Sequence, residues 1–296
     1  MLPLVLCSGC SLRGLAIDGL TDALAGSARS YASDDDPELV GDAMPFVLKT
    51  VESLLLEKPE NQELLLQACS GFTQYAYAFV ELDADRVEGD DYAQALELRD
   101  RAFRLYLRAR DYGLRALELR HPGMDQGLRA NPSGAVQALG LDDVELAYWT
   151  AAAWGSAIGT GLDHPEVAAD VDAVRELLAR ALELNESWDE GALHEAMISI
   201  ESLPEAMGGS PERAREHYAR ALELSGGRHA STYLSLAVGV SLPAQDPAEF
   251  RFLLQKALAV DLDADPGARL SNRLAQRRAR QLLDDTQDLF LEPPAE

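Results

Sequence analysis

The chain has 296 residues, 47% hydrophobic and 26% charged, which is enough for one large domain or two average ones with a buried core. This composition excludes wholesale disorder. The 50 acidic and 26 basic side chains give a formal net charge of −24 at pH 7. Such a surface repels phosphate backbones and anionic membranes, which argues against nucleic-acid binding as a main role.

The first ten residues, MLPLVLCSGC, form an apolar segment that ends in small residues before Cys10. This pattern is similar to the end of a bacterial lipoprotein signal, in which such a cysteine is lipidated and becomes the mature N-terminus. No Lys or Arg precedes Leu6, and Cys7 replaces the usual aliphatic residue. A redox Cys-x-x-C and an incidental apolar terminus therefore stay open as alternatives. We expect residues 1–10 to be a lipoprotein-signal remnant, with Cys10 anchoring the chain to a membrane on the periplasmic side.

After this segment, no run approaches the roughly 20 apolar residues that a membrane-spanning helix needs. Apolar residues recur at steps of three and four, while β-branched runs and Asn-Gly hairpin signals are scarce. The pattern predicts an all-α fold. The predicted helices of the first half lie near 12–31, 37–57, 60–82 and 91–120. Those of the second half pair as 142–160 with 165–184, 188–203 with 210–224, and 229–241 with 247–260, followed by a capping helix over 266–289.

Several predicted helices begin with a proline followed by an acidic residue, as in DPAEF at 246. Proline suits the first helical position because its missing N–H has no partner there. Asp246 and Glu249 match a capping box. The apolar positions that follow, Phe250, Leu253, Leu254, Ala257 and Leu258, form one helical stripe.

The sequence also contains an internal repeat. ALEL occurs at 95, 116, 181 and 221 and the related ALAV at 257, and the last three copies are 40 and 36 residues apart. Tetratricopeptide repeats have a period of about 34 residues and consist of antiparallel helix pairs. We therefore predict a TPR-like α-α superhelix in a single domain over residues 11–291, less regular over 11–140 and clearer over 141–291, with a tail at 292–296. Such stacks leave a concave surface or channel for binding.

Signatures of catalysis and of metal binding are missing from the sequence. It has no phosphate-binding loop and no nucleophile elbow. HEAMI at 194 begins like a zinc-protease helix, but Ile198 stands where the second His must be. The five histidines show no ligand spacing. We expect a protein that is not an enzyme and has no cofactor and no metal.

One predicted helix, ELLLQACSGFTQYAYAFVE, carries polar residues on a single face: Gln67, Ser70, Gln74 and Tyr77. This face is either a partly solvated stripe or the lining of an internal pocket, since a helix that is apolar around most of its circumference is usually central. Gln67, Gln74 and Tyr77 are the candidates for a ligand or pore lining.

Three further residues are candidates for the same lining. Trp149 and Trp154 lie about 140° apart around their helix, so one is expected in the core and the other at a cavity. His194 lies on a helix of small and apolar residues, where it is either a hydrogen-bonded structural histidine or a ligand contact.

The last predicted helix carries an arginine stripe in an otherwise acidic chain: Arg269, Arg273, Arg277 and Arg280, with Arg278 beside them. This stripe is either solvated or a docking site for an acidic partner or a carboxylate.

Three segments together resemble the TatT family of TPR-like lipoproteins associated with tripartite ATP-independent periplasmic (TRAP) transporters. They are AYWTAAAWGSAIG, the joint GGSPERAREHY, and the ending LSNRLAQRRARQLL…DLF. The resemblance implies a non-enzymatic, lipid-anchored periplasmic protein that forms a homotrimer and pairs with the extracytoplasmic solute receptor of the transporter. It further implies a helical cleft or pore for an apolar small molecule, with a hydrophobic carboxylate as one ligand. A generic TPR scaffold for envelope protein assembly, a cytosolic helical-repeat adaptor and a helical enzyme remain alternatives.

Overall fold

A computed structural model of the chain describes residues 30–291 except residue 162, together with residues 19, 21 and 26. Within these residues the chain is helical and contains no strand, which confirms the all-α prediction. No helix in this part combines the length and apolarity needed to cross a bilayer. Cys7, Cys10 and most of the predicted helix over 12–31 lie outside the described residues.

Long helices account for most of the fold, and two of them contain a wider π-helical turn. In the first half they are α1 (Pro37–Glu57), α2 (Gln62–Ala76, continuing through the π-turn Tyr77–Glu81 into Leu82–Val87), α3 (Tyr92–Arg120) and α4 (Met124–Ala130). In the second half they are α5 (Val144–Thr160), α6 (Val171–Asn185), α7 (Ala192–Glu201), α8 (Pro211–Ser225), α9 (Ala230–Leu236, continuing through the π-turn Ala237–Ser241), α10 (Pro247–Leu258) and α11 (Arg269–Asp284).

The predicted helices over 37–57, 91–120, 210–224 and 247–260 match these bounds within two residues at each end. The predicted helix 165–184 is instead split into the short turn Pro165–Ala168 and α6. The predicted helix 188–203 opens with the 3₁₀ turn Trp188–Gly191 before α7 begins.

The start of α10 shows why the local sequence specifies these bounds. Asp246 Oδ1 accepts the backbone N–H groups of Ala248 and Glu249, at 3.1 and 2.9 Å. The capping box is only half formed, however, because the Glu249 carboxylate binds Arg215 and Ser241 instead of the Asp246 N–H. The apolar stripe of α10 is buried as predicted, apart from its half-buried last residue.

Helices that follow one another along the chain pack together in space. α2 packs on α3, α3 on α5, α5 on α6, α7 on α8, α9 on α10 and α10 on α11. Short connections make such neighbours antiparallel. The helices thus form successive hairpins.

The last helix returns to the beginning of the chain. In α11, Arg277 pairs with Glu38 of α1, and Arg278 Nη2 lies 2.7 Å from Asp85 Oδ2 of α2. Gln281 Nε2 also donates to the Asp85 carbonyl oxygen at 3.1 Å. The series of helix contacts thus forms a closed circuit, because α11 returns to α1 and α2.

Buried apolar side chains form two clusters. The first joins α2, α3, α5 and α6 and includes Trp154 and Tyr106, both fully buried. The second joins α9, α10 and α11 around Phe250. α7 links them, because Ile200 belongs to the first cluster and Ile198 to the second.

α2, α3 and α5 approach most closely at Gly113. A Cβ atom there would lie 2.3 Å from Thr150 Oγ1 and 2.9 Å from Cys69 Sγ. Because both neighbours are buried, neither can move away freely.

We predict that Gly113→Ala lowers the free energy of unfolding by about 1–3 kcal/mol, the usual cost of overpacking a core. Gly159→Ala is the matched control, since a Cβ at that helical position meets nothing within 4 Å. The control should be neutral or stabilising by up to about 1 kcal/mol. Urea denaturation of both variants measures the difference, and equal stabilities would contradict the packing argument.

Candidate functional site

The π-turn Tyr77–Glu81 interrupts the regular winding of α2. Turns of this kind are frequent at functional sites. Tyr77, at its start, keeps 42% of its surface exposed. Nevertheless burial, together with the charges of Glu81 and Glu195, raises the pKa of Tyr77 well above its ordinary value. A phenol on a convex surface is not desolvated. We infer from this combination that Tyr77 faces a concave space that solvent still reaches.

Glu81 ends the same π-turn. Burial raises the pKa of its carboxyl to about 7, although a hydrogen bond from the hydroxyl of Tyr106 opposes that rise. Tyr106 lies on α3 and donates this bond to Glu81 Oε2. Near neutral pH the carboxyl is therefore divided between its protonated and ionised forms, so it can donate or accept a hydrogen bond.

The opposite side of the space is formed by α5 and α7. Glu195 of α7 acts on Tyr77 and also raises the pKa of Tyr148 of α5, after the larger effect of burial. Thr232 Oγ1 of α9 donates to Glu195 Oε2 at 2.9 Å, which fixes this carboxylate. We infer that Tyr77, Glu81, Tyr106, Tyr148 and Glu195 border one concave space, which we call the chamber.

Aromatic side chains extend the chamber wall. The Tyr148 ring meets Trp149 edge to face, with centroids 5.0 Å apart, and tilts against Trp188 at 4.6 Å. Phenol and indole rings provide apolar contact area, and the carboxyl groups provide hydrogen bonds. A chamber of this composition suits the holding of a ligand.

Only part of the polar face predicted on α2 reaches the chamber. Gln67 Nε2 donates to the carbonyl oxygen of Thr21 at 3.4 Å, and Gln74 is exposed and donates to the Ser70 carbonyl. Among these candidates it is Tyr77 that lies beside Glu81.

The two tryptophans of α5 point to different places, as their spacing predicts. Trp154 is fully buried, with the guanidinium groups of Arg110 and Arg129 at 5.7 and 5.1 Å from its ring. Trp149 is half-buried and contacts Tyr148. Trp154 is thus the core residue, and Trp149 lies beside the chamber.

His194 lines a separate open pocket of about 620 Å³ between α6, α7 and α8. Its Nε2 is 3.1 Å from Glu186 Oε1, and its Nδ1 is 2.8 Å from Nδ1 of His217. Burial lowers the pKa of both histidines, which favours neutral rings. In this contact one ring can donate its Nδ1–H to Nδ1 of the other ring. Both ring nitrogens of His194 are therefore occupied within the chain.

The arginine stripe of α11 is partly used within the fold. Arg269 binds Asp263 at 2.9 Å, and Arg277 binds Glu38. Among the described residues, Arg273 and Arg280 have no carboxylate within ion-pairing distance, and the Nε of Arg273 is buried without a hydrogen-bond partner. These two arginines line a groove of about 470 Å³ together with Arg277 and three acidic residues, Asp35, Asp36 and Glu38. The hydrogen bond from Arg277 and the charge of Arg273 lower the pKa of Glu38.

The sequence analysis did not identify Glu81, Tyr106, Tyr148 or Glu195. Glu81 had a detectable signal, because it continues the polar face of α2 four residues after Tyr77. The other three come from different helices, and no spacing along the chain connects them to α2.

We predict that Glu81→Gln flattens the pH dependence of stability between about pH 4.5 and 7. The folded chain keeps the Glu81 proton up to a pKa of about 7, while an ordinary glutamate releases it near 4.5. The folded state thus binds more protons in this window, so wild-type stability falls as pH rises through it, by up to about 3 kcal/mol.

Urea denaturation at half-unit pH steps measures the effect. Glu60→Gln, on the exposed turn between α1 and α2, is the control and should follow the wild type. Parallel curves for Glu81→Gln and the wild type would contradict the assignment.

The chain is similar to known proteins over nearly its whole length. The TAtT family, described as TRAP transporter T-component, matches residues 33–290 and so includes α1 to α11. An uncharacterized protein of Treponema pallidum (strain Nichols) is 30% identical over 310 residues, covering 97% of this chain and 95% of that protein. The resemblance found in the sequence is confirmed. The chain belongs to the TAtT family of TRAP transporter T-components, which are accessory components of a membrane transporter.

Proposed function

We propose that this chain is a non-enzymatic periplasmic component of a TRAP-type transporter that pairs with the solute receptor and holds an apolar ligand in the chamber. The observation that carries the proposal is the Tyr77 ring, which is 42% exposed although burial raises the pKa of its hydroxyl group. An exposed ring in an enclosed space offers contact area to a small molecule rather than to bulk solvent.

A hydrophobic carboxylic acid fits this lining. Its apolar body packs against the rings of Tyr77 and Tyr148, and its carboxyl group forms a hydrogen bond with Glu81. Two carboxyl groups in contact share one proton, and the raised pKa of Glu81 supplies that proton near neutral pH. The chamber then takes up such a ligand more strongly as the pH falls.

The architecture supports this role. We infer that the hairpins from α5 to α10 are degenerate tetratricopeptide repeats, on the evidence of their paired helices and the ALEL spacing. We further propose that the chain forms a homotrimer and is tethered by a lipid on Cys10. Membership of a transporter family favours this reading over a generic envelope scaffold or a cytosolic adaptor.

We propose that the receptor docks on the groove that contains Arg273 and Arg280. Neither guanidinium group forms an ion pair with a carboxylate of the described residues, although Asp35, Asp36 and Glu38 line the same groove. Arginines that remain unpaired in an acidic protein suit a carboxylate-bearing surface of a partner.

We predict that decanoate binds the wild-type chain and that Tyr77→Ala weakens binding about tenfold, equivalent to roughly 1.4 kcal/mol of lost contact. Tyr92→Ala is the control, because Tyr92 is an exposed tyrosine at the start of α3. Native mass spectrometry measures occupancy and also reports whether the chain is trimeric. Equal occupancy in all three proteins, or no bound decanoate, would count against a ligand in the chamber.

We predict that Arg273→Gln combined with Arg280→Gln weakens binding to the solute receptor encoded beside the transporter by at least about tenfold, the loss of one good charge-assisted contact. Arg104→Gln is the control, since Arg104 is an exposed arginine paired with Asp100 on α3. Surface plasmon resonance with immobilised receptor measures the affinities. If the control loses as much affinity as the double variant, net charge rather than this groove governs the association.

A further inference from the structure

A second group of polar side chains gathers where three connecting segments meet. Glu190 lies in the turn before α7, His229 immediately precedes α9, and Asp265 lies in the loop before α11. One ligand atom from each of these residues lies within 4.8 Å of the other two. This group is separate from the residues that bound the chamber.

The composition of the group distinguishes it from an ordinary acidic patch. An imidazole nitrogen and two carboxylate oxygens are the donors that Zn²⁺ and similar divalent transition-metal ions take in proteins. Ligand atoms around such an ion lie about 3–4 Å apart, as follows from metal–ligand distances near 2.1 Å. The His229 Nε2 is already 3.7 Å from Glu190 Oε2. Small side-chain rotations bring all three donors to bonding distance of one ion.

Neighbouring groups hold the two carboxylates in place. Arg228 Nη2 donates to Glu190 Oε2 at 2.5 Å, and the Gly267 N–H donates to Asp265 Oδ1 at 2.9 Å. Each carboxylate keeps lone pairs that these bonds do not use. Ligating carboxylates are commonly oriented by hydrogen bonds of this kind.

A third carboxylate, Asp189, is adjacent to Glu190 in the chain. Asp189 and Glu190 have positive φ values of 45° and 51°, which non-glycine residues rarely adopt. The carboxylate oxygens of Glu190 and Asp265 lie within 4.8 Å of each other, so they repel one another, and a divalent cation relieves that repulsion.

We propose that Glu190, His229 and Asp265 bind a divalent transition-metal ion, which Zn²⁺ represents. The ion joins the turn before α7, the start of α9 and the loop before α11. Trp188, in the turn before α7, packs on the first apolar cluster, and α9 belongs to the second apolar cluster. The ion thus ties the two clusters together and fixes the approach of α11. This proposal does not depend on the function proposed for the chamber.

Isothermal titration of the tag-free, EDTA-treated chain with Zn²⁺ tests the site. We expect one high-affinity ion per chain, a higher thermal midpoint with Zn²⁺, and an affinity at least about tenfold lower in each of His229→Gln and Asp265→Asn. His164→Gln is the matched control. The carboxylates beside His164 lie on opposite ring nitrogens, with Glu166 at Nδ1 and Asp163 at Nε2, so they do not converge on one ion.

A parallel titration with Ca²⁺ separates a transition-metal site from a general acidic patch. Calcium takes oxygen ligands, so His229→Gln should leave any Ca²⁺ binding unchanged while it weakens Zn²⁺ binding. The proposal is overturned if the wild type binds Zn²⁺ no more tightly than millimolar. It is equally overturned if His229→Gln binds Zn²⁺ as the wild type does, or if His164→Gln loses as much affinity as His229→Gln.

Discussion

The contact of the last helix with the first two is the constraint on which the interior depends. Arg278 and Gln281 of α11 both bind Asp85, and Arg277 binds Glu38. A row of helical hairpins has two free ends and an open concave face. Here α11 joins the two ends of the row. Arginines of α11 form the ion pairs at this contact, so they have a structural role in a strongly acidic chain.

Enclosure accounts for the chemistry of the chamber. The side chains of Tyr77, Glu81 and Glu195 keep contact with solvent or with one another. The surrounding helices nevertheless exclude most of the water around them. The result is a phenol with a raised pKa and a carboxyl group that titrates near pH 7. Groups of this kind suit the reversible binding of a ligand whose carboxyl group shares a proton with Glu81. The role proposed in a TRAP-type transporter requires such reversible binding. The arginine groove and the proposed metal site consist of other residues, and we propose that the groove docks a partner and that the ion stabilises the fold.

Much of the fold was predictable, because helices are specified by local chemistry. Asp246 caps α10 through its own side chain, and the following stripe from Phe250 faces the core at the spacing of a regular helix. The family was likewise recognisable from three segments. The capping box is incomplete because the Glu249 carboxylate binds Arg215 of another helix instead of the Asp246 N–H. A local rule was overridden there by a contact that local sequence does not encode.

The sequence by itself determined the all-helical class, the bounds of several long helices, the buried face of α10 and the polar face that leads to Tyr77. Only the tertiary structure decided which faces meet. It placed Tyr148 and Glu195 near Tyr77, put Trp154 rather than Trp149 in the core, and brought residues 190, 229 and 265 within reach of one ion. The physical reason is that the periodicity of a sequence shows only on which face of its own helix a side chain lies. Which other helix that side chain meets depends on packing and on the closure of the whole circuit.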